Sequence, residues 1–319
     1  MSRSIKGKMQ ESSAVWKVLL LLALMLLFTL LAMGVWALCF GGNQSVNSLK
    51  VMQMLQTVGT FLLPCLAGAY IWSEEPWTWL SMDKKVGWKE GLAVFVLILV
   101  ASPAVNLLAS WNEKMVLPDF LSGLEELMKS QEEAAAALTE QFIRADNVGV
   151  LIYNLLLMAL LPALSEETLF RGTLQQMMYK GTSSISTSNN SPNTKQHVAV
   201  WVSAILFSAI HFQFYGFVPR MLLGVLFGYL LLWSGSLWLP ILAHFTNNAM
   251  AVILYNIYYM QGKNVDEIDA LGTGDTLWLG ILSIILTALG VYLIRKLLRL
   301  KQEGEIHKLL DEGGIDSAE

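Results

Sequence analysis

VLIYNLLLMALLPALSEETLFRG, residues 150–172, decides the fold. From Val150 to Leu164 it is apolar apart from Asn154, and it then runs into Glu166, Glu167 and Arg171. A helix that crosses a bilayer needs about 20 mostly apolar residues. Ionisable groups inside such a helix cost about 2.5–3.5 kcal/mol each on insertion scales, so they mark function by default. The segment therefore reads as a membrane span with chemistry at one end, and Pro162 is expected to kink it.

Similar apolar runs lie on both sides. Together they predict an all-α, polytopic transmembrane helix bundle of about eight spans, near 16–40, 52–72, 88–110, 148–170, 198–214, 217–234, 237–257 and 277–299. Composition agrees. Of 319 residues, 55% are hydrophobic and 14% charged, against about a quarter charged in soluble domains. The net charge of −4 leaves no basic face for nucleic acid. The first run, from about Leu19 to Cys39, exceeds the roughly 7–15 apolar residues of a signal peptide and is expected to be a retained helix. Cys39 and Cys65 lie in apolar stretches and read as small buried hydrophobes rather than a disulfide.

Basic residues orient the bundle. Arg3, Lys6 and Lys8 precede the first span, and Lys84, Lys85 and Lys89 follow the second. Lys180 and Lys195 follow the fourth, and Arg295, Lys296, Arg299 and Lys301 end the last. The alternate connections hold only Lys50, Arg220 and Lys263, or are acidic like 111–147. Both termini are thus expected in the cytoplasm of a bacterial inner (plasma) membrane. Residues 119–145 alternate Leu121, Leu124, Leu127 and Met128 with acids and predict an amphipathic helix on the outer surface. Residues 181–196 read as a Ser/Asn/Thr-rich flexible loop, and the tail after Lys301 as a short fraying helix. Trp72, Trp77, Trp79, Trp233 and Trp238 are expected as interface anchors. Three regions follow: 1–147 with three spans and the outer segment, a core at 148–257, and the last span with its tail at 258–319.

Three polar clusters fall inside spans. Glu167 and Arg171 are four apart and can pair on one helix face, while Glu166, turned about 100° away, is free to face another neighbour. Phe207-Ser-Ala-Ile-His211 sets an imidazole one turn beyond an aromatic ring. His244-Phe-Thr-Asn-Asn248 puts an imidazole and an amide on one face. Each alone also reads as packing, as an interfacial salt bridge or as helix–helix hydrogen bonding. Together they can occupy one layer in the cytoplasmic half of the membrane. A carboxylate and two imidazoles in a dry site can activate water, bind a metal or hold an oxyanion. Gly224 and Gly228 form a GxxxG face that reads as simple close packing.

The three patterns, EExxxR at Glu166–Arg171, FxxxH at Phe207–His211 and HxxxN at His244–Asn248, resemble those of the CPBP family, the CAAX prenyl protease and bacteriocin-processing (Abi) group of intramembrane peptidases. They occur in the same order, each on its own helix, within about residues 148–257. The resemblance implies that Glu166 activates water with help from His211, that Glu167 and Arg171 support it, and that His244 and Asn248 stabilise the oxyanion. It leaves open a divalent metal such as Zn2+ on Glu166, His211 and His244, since the family has been read both as metallopeptidases and as metal-free glutamate peptidases. No HExxH pattern is present. The implied partners are membrane lipid and a membrane-associated peptide or protein substrate, prenylated or unmodified, with a bacterial look favouring the latter. Two rivals remain: a non-catalytic immunity or peptide-binding protein that uses the same cavity, and a proton-coupled transporter, against which the lack of internal repeats speaks.

Overall fold

In a computed structural model, which describes residues 5–180 and 193–312, every regular element is helical. The main helices are α1 (Ala14–Phe40), α2 (Val46–Trp72), α3 (Trp88–Asn112), α4 (Ser122–Ile143), α5 (Val148–Lys180), α6 (Thr194–Ala209), α7 (Phe217–Ser234), α8 (Trp238–Met260) and α9 (Leu277–Glu312). Six of them, α1, α2, α3, α5, α7 and α9, are long and apolar enough to cross a membrane. The expected count of eight differs by α6 and α8. Helix α6 has 16 residues and is about 24 Å long at 1.5 Å per residue. Helix α8 is long enough, but His244, Thr246, Asn247, Asn248 and Asn256 dilute its apolar character. Most of the predicted flexible loop, 181–192, lies outside the described residues. The tail continues α9 as helix to Glu312 instead of starting a separate short one.

Prolines are accommodated by local changes of helical winding or by a borrowed side chain. In α5 a π-helical turn, Leu156–Leu160, comes just before Pro162, and in α2 the turn Val58–Leu62 comes just before Pro64. Proline cannot donate to the carbonyl four residues back and its ring crowds it. For Pro162 that carbonyl belongs to Met158, and the Asn248 Nδ2 donates to it at 3.4 Å. Beside Pro103 in α3 the Ser283 hydroxyl of α9 is inserted into the ladder. It donates to Val100 O at 2.6 Å and accepts from the Ala104 N–H at 3.1 Å.

Close helix crossings depend on small residues. A Cβ on Gly59 would lie 2.9 Å from both Phe28 O and the Ala32 Cβ, so α1 and α2 meet nearly backbone to backbone. Cys65 is buried and Cys39 exposed, and both are free. The expectation of two buried cysteines fails at Cys39 because it sits on the outward face of the last turn of α1, a helix with few buried residues. Lys50, expected in a loop, lies on the second turn of α2. It is buried, with its ammonium donating to Asn154 Oδ1 at 2.7 Å.

Helix α4 docks by its polar side. Glu125 is buried and accepts from the Leu117 N–H at 2.8 Å, while Leu124 and Leu127 are exposed. Its far end is pinned by Asn154 and Asn256, whose amides donate to Ile143 O at 2.9 and 2.8 Å. An apolar face left outward suits a helix lying in the apolar–polar boundary of a bilayer.

Candidate active site

Helices α5, α6, α7 and α8 bring the three predicted clusters together. Glu166 Oε2 lies 4.0 Å from the His211 Nε2 and 3.9 Å from the His244 Nε2. The side chains grade from enclosed to open: His244 is 7% exposed, Glu166 13% and His211 27%. Along α8, His244 stands about 9 Å from the Trp238 end and about 24 Å from the Met260 end. His211 is not inside a helix. It sits in the turn that joins the short α6 to α7, because α6 ends at Ala209.

Hydrogen bonds fix which imidazole nitrogen faces inward. The His211 Nδ1 is 2.8 Å from Phe207 O, a carbonyl that can only accept, so Nδ1 carries the hydrogen. The His244 Nδ1 is 2.9 Å from Glu167 Oε1 and donates to that carboxylate. In each neutral ring the Nε2 then offers a lone pair. Three acceptor sites converge, two imidazole nitrogens and one carboxylate oxygen.

Glu167 and Arg171 are both fully buried and paired at 2.8 Å. The same Oε1 thus receives Arg171 Nη1 and the His244 Nδ1. Arg171 also donates through Nη2 to Gly224 O at 3.0 Å, and one turn on the Gln175 Nε2 donates to Gly228 O at 3.1 Å. The GxxxG face therefore does more than pack, since its missing side chains open two backbone carbonyls to α5. A Cβ on Gly224 would lie 2.8 Å from Arg171 Nη2 and 3.2 Å from both the Ala204 Cβ and the Phe207 Cδ1. Gly224→Ala should lower stability by about 1–3 kcal/mol through overpacking, seen as a drop in the thermal midpoint in detergent. An unchanged midpoint would show that the Arg171 contact is slack.

Phe207 joins these parts. Its ring is edge-on to His211 at 5.2 Å and to His244 at 5.8 Å, with the Arg171 guanidinium over it at 4.5 Å. Phe227 stacks on His244 at 5.4 Å. Nothing in the sequence singled out Phe227, since it belongs to no polar pattern and sits in an apolar helix. Asn248 shares a helix face with His244, as expected, and its amide holds the Met158 carbonyl.

Two further residues were not legible in the sequence. The turn with His211 carries Phe212 at φ 51°, a left-handed conformation costly for a bulky side chain. Side chains from distant helices hold this turn. Asn112, 1% exposed at the end of α3, donates to Phe214 O at 2.9 Å and accepts from the Val218 N–H at 2.8 Å. Glu132 of α4 accepts from the Tyr215 and Gly216 N–H groups at 2.8 and 3.2 Å. Their partners lie about a hundred residues away, so no local pattern reveals them. Asn112→Leu should leave the Val218 N–H unpaired, at about 1–3 kcal/mol, and Phe214 O with only the Phe217 N–H at 3.3 Å. Faster hydrogen exchange at 214–218 is expected, and protection equal to the parent would rule the clamp out.

Metal ligation was tested against this geometry. Metal–ligand bonds of about 2.0–2.1 Å put two ligands of a tetrahedral zinc about 3.3 Å apart. The observed spacings of 3.9 and 4.0 Å are wider. Among the described residues no three His, Cys, Asp or Glu groups are gathered to hold a metal ion. Converging lone pairs suit a cation in kind, but their spacing suits a shared water, at about 2.7–3.0 Å from each atom.

With this geometry in place, the chain was compared with known proteins. Residues 148–250 match the family model for Rce1-like type II CAAX prenyl endopeptidases. The Rce1-like stretch is thus residues 148–250, about a third of the chain. Every motif residue falls inside it, whereas Asn112 and Glu132 lie outside. YpbD of Bacillus subtilis (strain 168), described as uncharacterized, is 22% identical over 193 residues, covering 59% of this chain and 79% of that protein. No solved structure matches. The Rce1-like family is a protease family. With six helices long and apolar enough to cross a membrane, the chain is a multi-pass membrane protein whose residues 148–250 are similar to a membrane-protease family.

Proposed function

We propose that the protein is an intramembrane endopeptidase that cuts a membrane-associated peptide or protein with a water held by Glu166, His211 and His244. The convergence of three lone pairs from three separate segments carries this reading. A water has two protons to donate, so it can hydrogen-bond two of the three acceptors at a time and give one of those protons to Glu166.

In the proposed cycle Glu166 takes a proton from the water while an imidazole Nε2 orients it. The resulting hydroxide attacks the scissile carbonyl. Glu166 then passes that proton to the departing nitrogen as the C–N bond breaks, the second proton of the water leaves with the new carboxyl group, and Glu166 is a carboxylate again. Glu167, fixed by Arg171, holds His244 in one tautomer and orientation. The Asn248 amide, bound to Met158 O only through a long contact, is the proposed donor to the tetrahedral oxyanion. No step is routed through a metal.

The half-open His211 side faces the substrate's approach, flanked by exposed Ile210 and Phe212. The lysine and arginine distribution supports both termini in the cytoplasm, of a bacterial inner membrane in this reading. The family's description supports a CAAX-type substrate, and the resemblance to the bacteriocin-processing group an unmodified one. Two quenched fluorescent peptides, one farnesylated at a CAAX cysteine and one an unmodified membrane-inserting helix, tested on purified protein in detergent separate these. Cleavage of either should fall at least about 100-fold in His211→Ala and survive a chelator. Loss of activity with the chelator, restored by zinc, would overturn the metal-free cycle. Persistent cleavage in His211→Ala would remove His211 from it. Binding without any turnover of either peptide would favour the immunity or peptide-binding reading.

A further inference from the structure

We propose that the cavity between residues 84–86, the α7–α8 turn and the end of α9 binds the phosphate headgroup of an anionic phospholipid. Its volume is about 360 Å³, and its lining includes Lys84, Lys85, Lys301, Glu90 and Trp233. Glu90 and Lys301 pair at 3.1 Å and cancel. Among the described residues neither Lys84 nor Lys85 pairs with a carboxylate, so the cavity keeps two uncompensated ammonium groups.

A second observation points the same way. The indole Nε1 of Trp233 is buried and has no hydrogen-bond acceptor. Indole nitrogen can only donate, and buried donors are nearly always paired. The other polar groups are already occupied. The Ser236 hydroxyl donates to Lys84 O at 2.7 Å, that of Ser234 to Leu230 O at 2.6 Å, and the Gln302 amide to Trp233 O at 2.7 Å. What remains is two cations, which suit a phosphate, and one unpaired buried N–H donor in a residue that lines the cavity.

A lipid rather than a free ion is favoured by what lies alongside. On the same α3–α9 pair an apolar groove of about 480 Å³ runs past Leu92, Val96, Leu286 and Leu293, with Trp88 and Lys89 at its end. The two cavities share no lining residue, but both lie on α3 and α9 at the lysine-rich end of the bundle, as a headgroup and its acyl chain would require. Such a lipid would tie residues 84–86 to the turn that starts α8, the helix of His244.

The test uses the full-length protein in detergent, with native mass spectrometry and thermal unfolding. Phosphatidylglycerol, phosphatidylcholine of the same acyl chains and inorganic phosphate are the probes. Phosphatidylglycerol should be retained about tenfold or more over phosphatidylcholine, as two nearby ammonium groups allow, and should raise the midpoint more than either other probe. The double variant Lys84→Gln/Lys85→Gln should lose that preference. Trp233→Phe, which keeps the ring and removes the donor, should weaken it and serves if the double variant does not fold. Equal retention of the two lipids, or a preference that survives both variants, overturns the proposal. A full midpoint shift from inorganic phosphate alone overturns the lipid assignment and leaves an ion site.

Discussion

Glu166→Gln will leave the bundle folded and remove peptide cleavage. The substitution keeps size and hydrogen-bonding reach but cannot accept a proton from water. Positioned general bases contribute about 10²–10⁴ in rate, so a fall in kcat of about a thousandfold is expected with KM little changed, because the role is exerted on the reacting water. Stability should hold. Among the described residues Glu166 makes no ion pair with an arginine or lysine, and its nearest ionisable partners are the two imidazoles at 3.9 and 4.0 Å. Thermal midpoints of variant and parent should agree within a few degrees, and bound peptide should still protect the protein from added protease. If the protein only binds peptides, the substitution will leave its biological effect intact. Parent-level turnover in this variant would end the proposed cycle.

What the sequence revealed follows from which interactions are local. Glu167 and Arg171 pair across one helical turn, so spacing four predicted their contact. The same rule placed Phe207 against His211, which meet at 5.2 Å. The meeting of three clusters was legible because charge inside an apolar run needs a partner, and few polar partners existed. Helix ends were legible less well. His211 was placed within a span to 214, but α6 ends at Ala209 and the chain turns through Phe212 at φ 51°. The apolar side chains of that turn continue the hydrophobic pattern, so hydropathy cannot register the break.

Long-range support was not legible at all. Asn112 lies at a helix end and Glu132 in an acidic amphipathic stretch, where polar residues are ordinary. Only the folded chain shows that both hold backbone of the His211 turn. The clamp also explains why α4 docks by its carboxylates and not by its leucines. Its polar side is needed inside, for the turn's N–H groups and for Leu117, which leaves the leucines for lipid. Helix α8 shows the opposite relation, since the polar residues that build the site keep it from scoring as a span.

Arg171→Met should cost the most stability of any single change in the site, and the reason lies in what remains. Arg171 and Glu167 are each 0% exposed. Removing the guanidinium leaves a buried carboxylate held only by the His244 Nδ1, and it also takes from Gly224 O its side-chain donor. Breaking a buried pair in this way costs about 3–5 kcal/mol, which for a chain this long is a fall of roughly 10 °C in the midpoint. The double variant Glu167→Leu/Arg171→Met removes both charges and should recover most of that loss, because replacing a whole buried pair with apolar groups is often close to neutral. Cleavage should not recover with it. His244 would have lost the acceptor for its Nδ1 hydrogen, so neither its tautomer nor its ring position would be fixed beside Glu166. Stability restored without activity is thus the expected signature of a pair kept for orienting His244. A single Arg171→Met variant as stable as the parent, or a double variant that cuts peptide at the parental rate, would show that this pair neither holds the bundle nor serves the histidine.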